Sequence, residues 1–381
     1  MPQSLRIATF NCENLFRRTK VLNLEDETRG SDALGKIARI EGLLDKPKYT
    51  DEIKQKIFDL SAEVREFIDF RVDSGSLGSW KKEAGFQVNK GCSGRKDWTG
   101  QIAFSQEPFS DPQRRNTARV IKDARADVLC LVEVEDMETV QRFNGQALKA
   151  LKTEYAQFVS IDSPNDPRGI DVACLSKHSI ADIKTHIFDP YGNYKRVFSR
   201  DCLEVTLDIG ASKPIHALCN HFKSQRAMSK KEQDAAAAKR LAQAGKVVEI
   251  LKTGYDLEKD LVVVMGDLNE DSDNAYQSLK PLFKCMNLMP VVDPKAAAKD
   301  RYTHYYAGGK KDERLSQLDY IFASKALHKK LKDFGFVRNG IFGIDKAAAS
   351  VGAEPVDVYD TVTDWRLSAS DHAALWAEFE V

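Results

Sequence analysis

The sequence has no excess of charge of either sign. Its 57 Lys and Arg residues are matched by 57 Asp and Glu residues in a chain of 381 residues, so the formal net charge at pH 7 is zero. A surface that is basic all over, as in a general nucleic-acid binder, is therefore excluded, and any attraction to phosphate groups must be local. The hydrophobic fraction of 42% is enough for one large domain or two smaller ones.

The sequence also lacks cysteine pairs and long apolar runs. None of the seven cysteines forms a CxxC motif, which argues against a zinc ribbon, and several lie in apolar, strand-like runs, where a free thiol acts as a small hydrophobic side chain. No apolar stretch approaches the roughly 20 residues of a membrane-spanning helix, and the first residues lack the apolar core of a signal peptide. We therefore expect a soluble cytoplasmic protein, in a reducing compartment, that does not contact membranes.

A nucleophilic Ser or Cys motif is absent as well, but polar side chains stand at the ends of six strand-like segments. These segments carry Asn11 with Glu13, Glu133, Asn220 with His221, Asp267 with Asn269, Asp319, and Asp371 with His372. Strand ends are common positions for catalytic groups, because the sheet holds them rigidly while the loops admit substrate. Carboxylates, amides and imidazoles in this combination suit a hard divalent cation and a phosphate ester.

Each motif taken singly has a plainer explanation. Residues 266–269 would make an ordinary tight turn after a strand, and His221 or His372 could be a buried histidine with satisfied hydrogen bonds. A charge at Asp319, inside the apolar run 317–322, is costly unless it is paired, which predicts a histidine partner. Six strand ends that carry these residue types in this order are, however, improbable by chance.

The chain is predicted to be one domain over residues 1–381, with an insertion at 17–115. Apolar residues at helical spacing predict helices over 31–44 and 50–70, whereas residues 73–115 are rich in Gly, Ser and Lys and are expected to form loops. After the insertion, strand-like and helical patterns alternate. We therefore read the insertion as helical and loop-rich, and the rest as the main fold.

The ordered motifs resemble those of the endonuclease/exonuclease/phosphatase superfamily, which has the DNase I-like fold. The resemblance lies in segments 10–15, 132–134, 168–173, 220–224, 266–269, 318–320 and 370–372, and it covers residues 5–16 and about 116–381. It implies an α+β fold, a four-layered α/β/β/α sandwich in which two mixed β-sheets pack face to face with helices outside. The helical insertion lies outside the common pattern.

The chemistry of the side chains, together with this resemblance, indicates a metal site. Glu133 is the first candidate ligand, as a carboxylate for Mg²⁺ or Mn²⁺, and Glu13 and Asp371 are additional or outer ligands. Asn11 can orient Glu133 or a phosphate oxygen through its amide. The expected cofactor is therefore Mg²⁺ or Mn²⁺.

The remaining candidates are assigned to the reacting phosphate and to water. Asp267 would orient or deprotonate the attacking water, and Asn269 would hydrogen-bond a phosphoryl oxygen. His372, paired with Asp319, would meet the phosphate, and His221 is a second histidine there, a candidate acid for the leaving oxygen. Less certain phosphate contacts are Lys223 and Arg168, and Asp171 belongs to an Arg-Gly-Ile-Asp pattern whose role is open.

The motifs of this chain differ from those of individual subfamilies, and these differences narrow the range of expected substrates. Inositol phosphatases read Asn-Tyr-Arg after Gly-Asp-Leu, whereas this chain continues from Asn269 to Glu270 and Asp271, placing acid where an anionic headgroup would sit. Abasic-site endonucleases have a tyrosine before the Gly-Val strand where this chain has Arg168. No membrane-binding stretch supports a sphingomyelinase.

Local basic and aromatic residues leave two interpretations open. The segment from Lys223 to Lys246 is basic, which fits either a phosphate-binding surface or a solvated helix face. In the insertion, Trp80 and Trp98 would either stack bases or form a small core.

The preferred prediction is a metal-dependent phosphodiesterase, specifically a DNA endonuclease, in which water attacks the phosphodiester in line. Its partner would be nucleic acid, DNA more than RNA. The alternative is a phosphatase or phosphodiesterase acting on a small or lipid phosphoester. A different class of function is a non-catalytic nucleic-acid-binding or scaffold protein with this fold.

Overall fold

The computed structural model describes residues 3–17, 19–22, 26–109, 111–225, 229–308 and 313–381. The helices are α1 (Glu27–Leu44), α2 (Asp51–Val64), α3 (Pro112–Ala124), α4 (Met137–Phe143), α5 (Lys230–Gly254), α6 (Lys280–Phe283), α7 (Ala298–Arg301), α8 (Lys325–His328) and α9 (Ile344–Ser350). The strands are β1 (Ser4–Leu15), β2 (Ile68–Gly75), β3 (Gly78–Trp80), β4 (Phe86–Val88), β5 (Trp98–Phe104), β6 (Val128–Val134), β7 (Gln157–Ser160), β8 (Asp171–Ser176), β9 (Ser179–Lys184), β10 (Cys202–Asp208), β11 (Ile215–His221), β12 (Leu261–Asp267), β13 (Leu288–Pro290), β14 (His304–Tyr306), β15 (Arg314–Ser316), β16 (Asp319–Ser324), β17 (Leu331–Val337) and β18 (Ala374–Glu380).

The chain folds into two compact units, one of residues 1–16 with 109–381 and one of residues 17–108. The larger unit contains two six-stranded mixed sheets, ordered β17-β18-β1-β6-β8-β7 and β13-β16-β12-β11-β10-β9. Within each sheet one pair of central strands is parallel, β1 with β6 and β11 with β12. With helices outside both sheets, this is the four-layered sandwich expected from the sequence.

The direction of successive side chains along each strand explains how the layers pack. Leu5 and Ile7 of β1 join the cluster between the sheets, whereas Ala8 and Phe10 join the cluster under α3 and α4. Successive strand side chains point to opposite faces, so a strand covered on both sides must be apolar on both. Each aliphatic side chain that is fully buried in these clusters contributes about 1.5–3 kcal/mol.

Helix α5 covers the outer face of the second sheet. Ser229 caps it by accepting a hydrogen bond from the Glu232 backbone N–H at 3.3 Å. Ala244, Val247 and Leu251 of this helix pack against the outer side of β11 and β12. Among the described residues, no helix combines the length and the apolar character that crossing a membrane requires.

The smaller unit contains α1, α2 and two two-stranded sheets. The helix predicted over 50–70 ends at Val64, and residues 68–70 belong to β2, so the end of that prediction is wrong. Strands β2 with β5 and β3 with β4 pair antiparallel, so residues 73–108, which were expected to be loop-rich, also contain short strands between their loops. Apolar and polar residues do alternate along β2, but its first apolar residues also continue the helical stripe of α2. Residues 109–115 lie in the larger unit, where α3 begins at Pro112. The reading of 17–115 as an insertion within one domain stays a prediction.

Both tryptophans of the smaller unit serve its own core. Trp98 is 3% exposed, and the Arg95 guanidinium lies 4.1 Å from its ring centroid. Trp80 packs against Phe70 and Phe86 with ring centroids 5.4 and 5.6 Å away. The core interpretation of these side chains is therefore the one that the structure supports.

A cluster of polar side chains joins the edge of the second sheet to the end of α5. Glu204 of β10 is 4% exposed and accepts hydrogen bonds from Lys184 Nζ at 2.7 Å and from the Tyr255 hydroxyl at 2.8 Å. His186 Nε2 lies 3.2 Å from its other carboxylate oxygen. Burial alone would raise the pKa of Glu204, but these partners lower it to about 2.

This pKa shift predicts a stability difference that depends on pH. Ionised Glu204 stabilises the folded protein above its ordinary pKa of 4.5, and the contribution is lost as the pH falls through its folded pKa of about 2. We expect Glu204→Gln to cost about 2 kcal/mol at about pH 6. In thermal melts, the gap to wild type should close between pH 4.5 and pH 2, whereas a gap that stays constant would contradict the assignment. Glu66→Gln, at the exposed ion pair with Arg29, serves as the control.

Candidate active site

One cavity of about 1040 Å³ in the larger unit gathers most of the residues predicted for the site. Those that line it are Asn11, Glu13, Glu133, Arg168, His221, Asp267, Asn269, Asp371 and His372. They come from both sheets, at the ends of β1, β6, β11 and β12 and just before β18. The strand-end pattern of the sequence therefore corresponds to one place in the fold, while the roles of the individual residues stay predictions.

Three of these residues have a left-handed backbone, with φ of 49° at Glu13, 65° at Glu133 and 56° at Asn269. A non-glycine residue in this region costs of order 1–3 kcal/mol and persists only where the surroundings enforce it. The strand pairing is irregular at the same points, between Asn11 and Leu15 in β1 and between Val132 and Val134 in β6. These bulges turn the two glutamates out of the sheet and into the cavity.

Asp267 is the most extensively held of the carboxylates. Its Oδ2 accepts hydrogen bonds from Asn11 Nδ2 and Asn269 Nδ2, both at 3.0 Å, and its Oδ1 accepts the Asn269 backbone N–H at 2.8 Å. Burial raises its pKa to about 7. The preceding Gly266 has φ of 141°, and a Cβ there would meet the Asn220 carbonyl oxygen at 1.9 Å, so only glycine allows this strand end.

These contacts change the expected roles of the two asparagines. The Asn11 amide donates to Asp267, whereas the sequence suggested that it would orient Glu133 or a phosphate oxygen. The Oδ1 atom of Asn11 accepts the Glu13 backbone N–H at 3.0 Å. Asn269 Nδ2 donates to Asp267 and to the Phe222 carbonyl oxygen at 3.2 Å. Both of its amide protons are thus used within the protein, and the geometry favours a positioning role over the predicted contact with a phosphoryl oxygen.

His221 lies between Glu133 of the first sheet and Asp267 of the second. Its Nε2 is 3.6 Å from Asp267 Oδ2 and 3.8 Å from Glu133 Oε1. Burial lowers the pKa of His221 to about 3, and the positive charge of Arg168 acts in the same direction. A neutral ring can donate a hydrogen bond to a phosphate oxygen, and this state favours that role over the predicted role of acid for the leaving oxygen.

Asp319 and His372 form the contact expected from the sequence. His372 Nδ1 lies 2.8 Å from Asp319 Oδ2, and the carboxylate is fully buried behind the ring. The Asp319 backbone N–H donates to Thr303 Oγ1 at 3.0 Å, and the His372 backbone N–H donates to Ser370 Oγ at 2.9 Å. Burial alone would lower the pKa of His372, but the Asp319 charge raises it well above its usual value.

Glu13, Glu133 and Asp371 carry negative charge that the protein only partly neutralises. Burial and the nearby Asp371 raise the pKa of Glu13 to about 7, and burial also raises the pKa of Glu133. Carboxylates that raise each other's pKa in one cavity fit a bound hard divalent cation, which would remove the repulsion. Among the described residues, two other sets of side chains have ligand atoms that all lie within 4.8 Å of one another, and Glu13, Glu133 and Asp371 do not form such a set. The two sets are His304 with Asp371 and His372, and Asp267 with Asp319 and His372.

His304 is the residue that sequence reasoning missed. Its Nε2 lies 3.5 Å from Asp371 Oδ2, and its ring centroid is 4.7 Å from that of His372. Burial alone would raise the pKa of Asp371, but His304 and His372 lower it to about 2. The signal in the sequence was weak, because β14 is only three residues long and ends no apolar run.

Three other predicted residues lie outside the cavity lining or at its edge. Asp319 is behind His372. Lys223 is held by its backbone, whose N–H donates to Gln243 Oε1 at 2.9 Å and whose carbonyl accepts from Arg240. Asp171 is 2% exposed and accepts the Ser163 backbone N–H at 3.1 Å, so it holds a loop.

The basic segment from Lys223 to Lys246 is mostly engaged in intramolecular contacts. Lys246 pairs with Asp189 at 3.1 Å, and Lys239 Nζ donates to the Arg196 carbonyl oxygen at 2.8 Å. Arg226 lies outside the described residues. A solvated or structural helix face is therefore the better interpretation for most of this segment.

Glu270 and Asp271 do not present free acid to a substrate. Glu270 is 1% exposed and accepts two hydrogen bonds from Arg240, at 2.9 and 3.1 Å. Asp271 pairs with the buried Arg301 at 2.6 Å and accepts the Gln317 backbone N–H. The expectation that these carboxylates would repel an anionic headgroup is therefore weakened, because Glu270 is neutralised by Arg240 and Asp271 shares Arg301 with Asp273.

The Glu270–Arg240 pair predicts a large effect on stability. Glu270→Gln leaves Arg240 as a buried charge without its counter-ion, which costs about 3–5 kcal/mol. Urea unfolding at neutral pH would measure this change. Asp234→Asn, at the exposed pair with Lys230, should change stability by less than about 1 kcal/mol. Equal effects of the two substitutions would show that the buried pair is not what holds this loop.

Comparison with known proteins places the chain in a family. Residues 93–343 match the sequence profile of the Endonuclease/Exonuclease/phosphatase family. The chain belongs to this family. Its members hydrolyse phosphoester bonds and use divalent metals, which agrees with the acidic and imidazole groups of the cavity. No curated protein sequence matches the chain.

Several solved structures are similar to the chain at low identity. Truncated TDP2 from Caenorhabditis elegans is 18% identical over 71% of this chain and 92% of that chain, with a TM-score of 0.47. A beta toxin from Staphylococcus aureus is 18% identical over 70% of this chain and 92% of that chain, with a TM-score of 0.47. An endonuclease/exonuclease/phosphatase family protein from Bacteroides thetaiotaomicron is 12% identical, with both chains covered fully and a TM-score of 0.47.

Proposed function

We propose that this protein is a phosphodiesterase that cleaves nucleic acid, with DNA as the preferred substrate and endonucleolytic attack as the mode, and that Mg²⁺ or Mn²⁺ is its cofactor. The observation that carries the proposal is the convergence of unneutralised carboxylates, a carboxylate held by two amides, and two imidazoles in one cavity. The carboxylates suit a cation, the carboxylate held by two amides suits a water molecule, and the two imidazoles suit a phosphate.

Asp267 is the group that prepares water for attack. Three hydrogen bonds from Asn11 and Asn269 fix the direction of its carboxylate, and its raised pKa places it close to neutral pH, where a general base is effective. The proton of the attacking water passes to a carboxylate oxygen of Asp267. The resulting hydroxide attacks phosphorus opposite the leaving oxygen, the bond from phosphorus to that oxygen breaks, and the departing alkoxide takes a proton from solvent water.

The two imidazoles bind the phosphate. His372 carries a positive charge that the buried Asp319 stabilises, and this charge offsets the negative charge of the phosphoryl oxygens. His221 is neutral and donates a hydrogen bond to one of those oxygens. Glu133, Glu13 and Asp371 would hold a divalent cation, which would supply Lewis acidity to the same phosphate.

Aromatic and basic side chains at the rim of the cavity support a nucleic-acid substrate. Tyr276 and Tyr306 line it and are 37% and 47% exposed. Exposed aromatic rings beside a phosphate site can stack bases, at about 1–3 kcal/mol per base. Arg168, whose side chain is half exposed, also lines the cavity and can contact a neighbouring phosphate.

A small or lipid phosphoester is the second candidate substrate. The observation in its favour is that Glu270 and Asp271 are paired with Arg240 and Arg301, so the acid expected to exclude an anionic headgroup is neutralised. Asp273 also pairs with Arg301, so the repulsion of such a group by this part of the cavity is reduced to that of one carboxylate. The two candidates share the same reaction and differ in what lies beyond the scissile phosphate.

A substrate panel tests the proposal. Purified full-length protein is incubated with supercoiled plasmid, single-stranded DNA, RNA and a phosphoinositide, each with Mg²⁺, with Mn²⁺ and with EDTA. We expect nicking of the plasmid that requires a divalent metal. Asp267→Asn, purified in parallel, should lose the activity, whereas a contaminating nuclease would persist in that preparation.

The other outcomes reject the proposal in distinguishable ways. Release of phosphate from the phosphoinositide without cleavage of any nucleic acid would favour the second candidate. Binding of DNA without hydrolysis of any substrate would favour a non-catalytic role. Cleavage that is equal with EDTA and with Mg²⁺ would remove the metal from the mechanism.

A further inference from the structure

His304, Asp371 and His372 stand out because they form a compact group with mixed nitrogen and oxygen atoms. Their ligand atoms all lie within 4.8 Å of one another. His304 Nε2 is 3.5 Å from Asp371 Oδ2, and His372 Nε2 is 3.8 Å from Asp371 Oδ1. We propose that this group is a second cation site, which takes a transition metal such as Zn²⁺, Co²⁺ or Mn²⁺ in preference to Mg²⁺.

The distances suit ligands of one ion better than direct hydrogen bonds. Normal hydrogen bonds between nitrogen and oxygen span about 2.7–3.2 Å, which is shorter than both separations. Two ligand atoms at about 2.1 Å from a shared ion, at octahedral or tetrahedral angles, are about 3.0–3.4 Å apart. The observed separations of 3.5 and 3.8 Å are close to this range, and small side-chain rotations would close the difference.

The partners of the two rings prepare them as ligands. His372 Nδ1 is 2.8 Å from Asp319 Oδ2, and His304 Nδ1 is 3.2 Å from Ser316 Oγ. In both rings the Nδ1 atom is therefore occupied, and the Nε2 atom is the one nearest to Asp371. A carboxylate or hydroxyl behind a histidine is the usual outer arrangement at a metal, since it fixes the tautomer and strengthens the ligand.

The backbone holds the three side chains together before any ion arrives. His304 and His372 form an isolated antiparallel bridge, and the Tyr305 backbone N–H donates to the Asp371 carbonyl oxygen at 3.0 Å. The Ala373 backbone N–H donates to the Thr303 carbonyl oxygen at 2.6 Å. A site whose ligands lie on paired segments is preorganised, so little ordering is needed on binding.

The ligand types set the choice of metal. Two imidazoles and one carboxylate suit Zn²⁺, Co²⁺ and Mn²⁺, whereas Mg²⁺ prefers oxygen ligands only. The carboxylates Glu13 and Glu133 remain available for the harder ion, and Asp371 is shared between the two sites. A cation at His372 replaces the proton on that ring, so the positive charge beside the phosphate is kept. The site does not depend on which substrate the protein cleaves.

Metal binding to the untagged full-length protein tests the site without any substrate. After treatment with a chelator, the protein is titrated with Co²⁺, followed by visible absorption, and with Mg²⁺, followed by calorimetry. We expect His304→Gln to weaken Co²⁺ binding by more than the roughly 10–100-fold that loss of an outer partner costs, and to reduce the absorption bands. Mg²⁺ binding should change by less than about twofold.

Three variants complete the experiment. His178→Gln, at a histidine outside the cavity lining, should bind Co²⁺ as wild type does. Ser316→Ala should weaken Co²⁺ binding by about tenfold or more through loss of the outer partner. His304→Asp replaces nitrogen with oxygen and should restore Mn²⁺ binding more than Co²⁺ binding. Should His304→Gln fail to fold, ¹⁵N-histidine spectra of the wild type would show Zn²⁺ shifting the rings of His304 and His372 and not that of His178.

Two results would overturn the site. One is a Co²⁺ affinity and spectrum in His304→Gln that equal those of wild type. The other is an equal loss of Co²⁺ and Mg²⁺ binding, which would mean that His304 supports one common carboxylate site through its pairing with Asp371. Because no substrate is present, a protein that cleaves no nucleic acid would still give a clear answer.

Discussion

Glu133→Gln is expected to reduce phosphodiester hydrolysis by about 10²–10³-fold or more and to remove most of the affinity for Mg²⁺. The substitution keeps the shape of the side chain and leaves an oxygen that can accept the Asn14 backbone N–H, now 3.2 Å from Glu133 Oε2. What it removes is the negative charge in a cavity where charge is the basis of cation binding. The left-handed backbone at this position is unaffected.

The measurement combines activity with metal-dependent thermal stability. Wild-type protein should melt at a higher temperature when Mg²⁺ or Mn²⁺ is added, because an ion that binds only the folded state stabilises it. Glu133→Gln should melt at the same temperature with and without metal. Glu138→Gln, at the exposed start of α4, should keep both the activity and the metal-induced shift. Wild-type activity in Glu133→Gln would remove this residue from the metal site.

Asp319→Asn and His372→Ala are each expected to lower activity by about 10³–10⁴-fold, and the double change should lower it little further. The reason is that the buried carboxylate acts only through the ring: it lies 2.8 Å from Nδ1 and does not line the cavity. Once either partner is lost, the other has no separate contribution to lose.

A double-mutant cycle on kcat/KM checks this coupling. The coupling energy should be close to the effect of a single substitution, which is far larger than the roughly 0.3–0.5 kcal/mol seen for independent sites. Circular dichroism of each variant would confirm that the fold is retained. Losses that add would show that Asp319 and His372 contribute independently and would reject the positioning role of the carboxylate.

The parts of the site that could be predicted were those for which a short stretch of sequence is sufficient evidence. Asp319 lies within an apolar strand, and a buried carboxylate requires a partner, so its contact with a histidine followed from solvation alone. The strand ends at Glu133 and Asp267 were visible because apolar runs stop there. Each of these signals spans fewer than ten residues and needs no knowledge of the rest of the fold.

The parts that could not be predicted depend on contacts between distant segments. Glu270 is neutralised by Arg240, thirty residues earlier on α5, and no local pattern links the two. His304 reaches Asp371 only because β14 bridges to the segment before β18. The amides of Asn11 and Asn269 were correctly placed near the site, but their partner, Asp267, was identifiable only from hydrogen-bond geometry.

The prediction of secondary structure also succeeded where the signal was local and failed where it depended on distant segments. Helices α1 and α2 were predicted because their apolar stripes are long and their caps are clear. Strands β3 and β4 of the smaller unit were missed because they have three residues each, which is too short for an alternating pattern to be recognised. Short strands are stabilised by their pairing partners, which a local pattern does not contain.

The position of β1 has a consequence for when the enzyme becomes active. β1 pairs with β18 on one side and with β6 on the other, and the residues Asp371 and His372 directly precede β18. At about 5–20 residues per second, synthesis of the segment from Asp267 to Glu380 takes of order 5–25 s. During that interval the nascent chain already carries Asn11, Glu133 and Asp267 but lacks β18. We therefore expect the cavity to be complete, and phosphoester hydrolysis to begin, only after Ala374–Glu380 has docked beside β1.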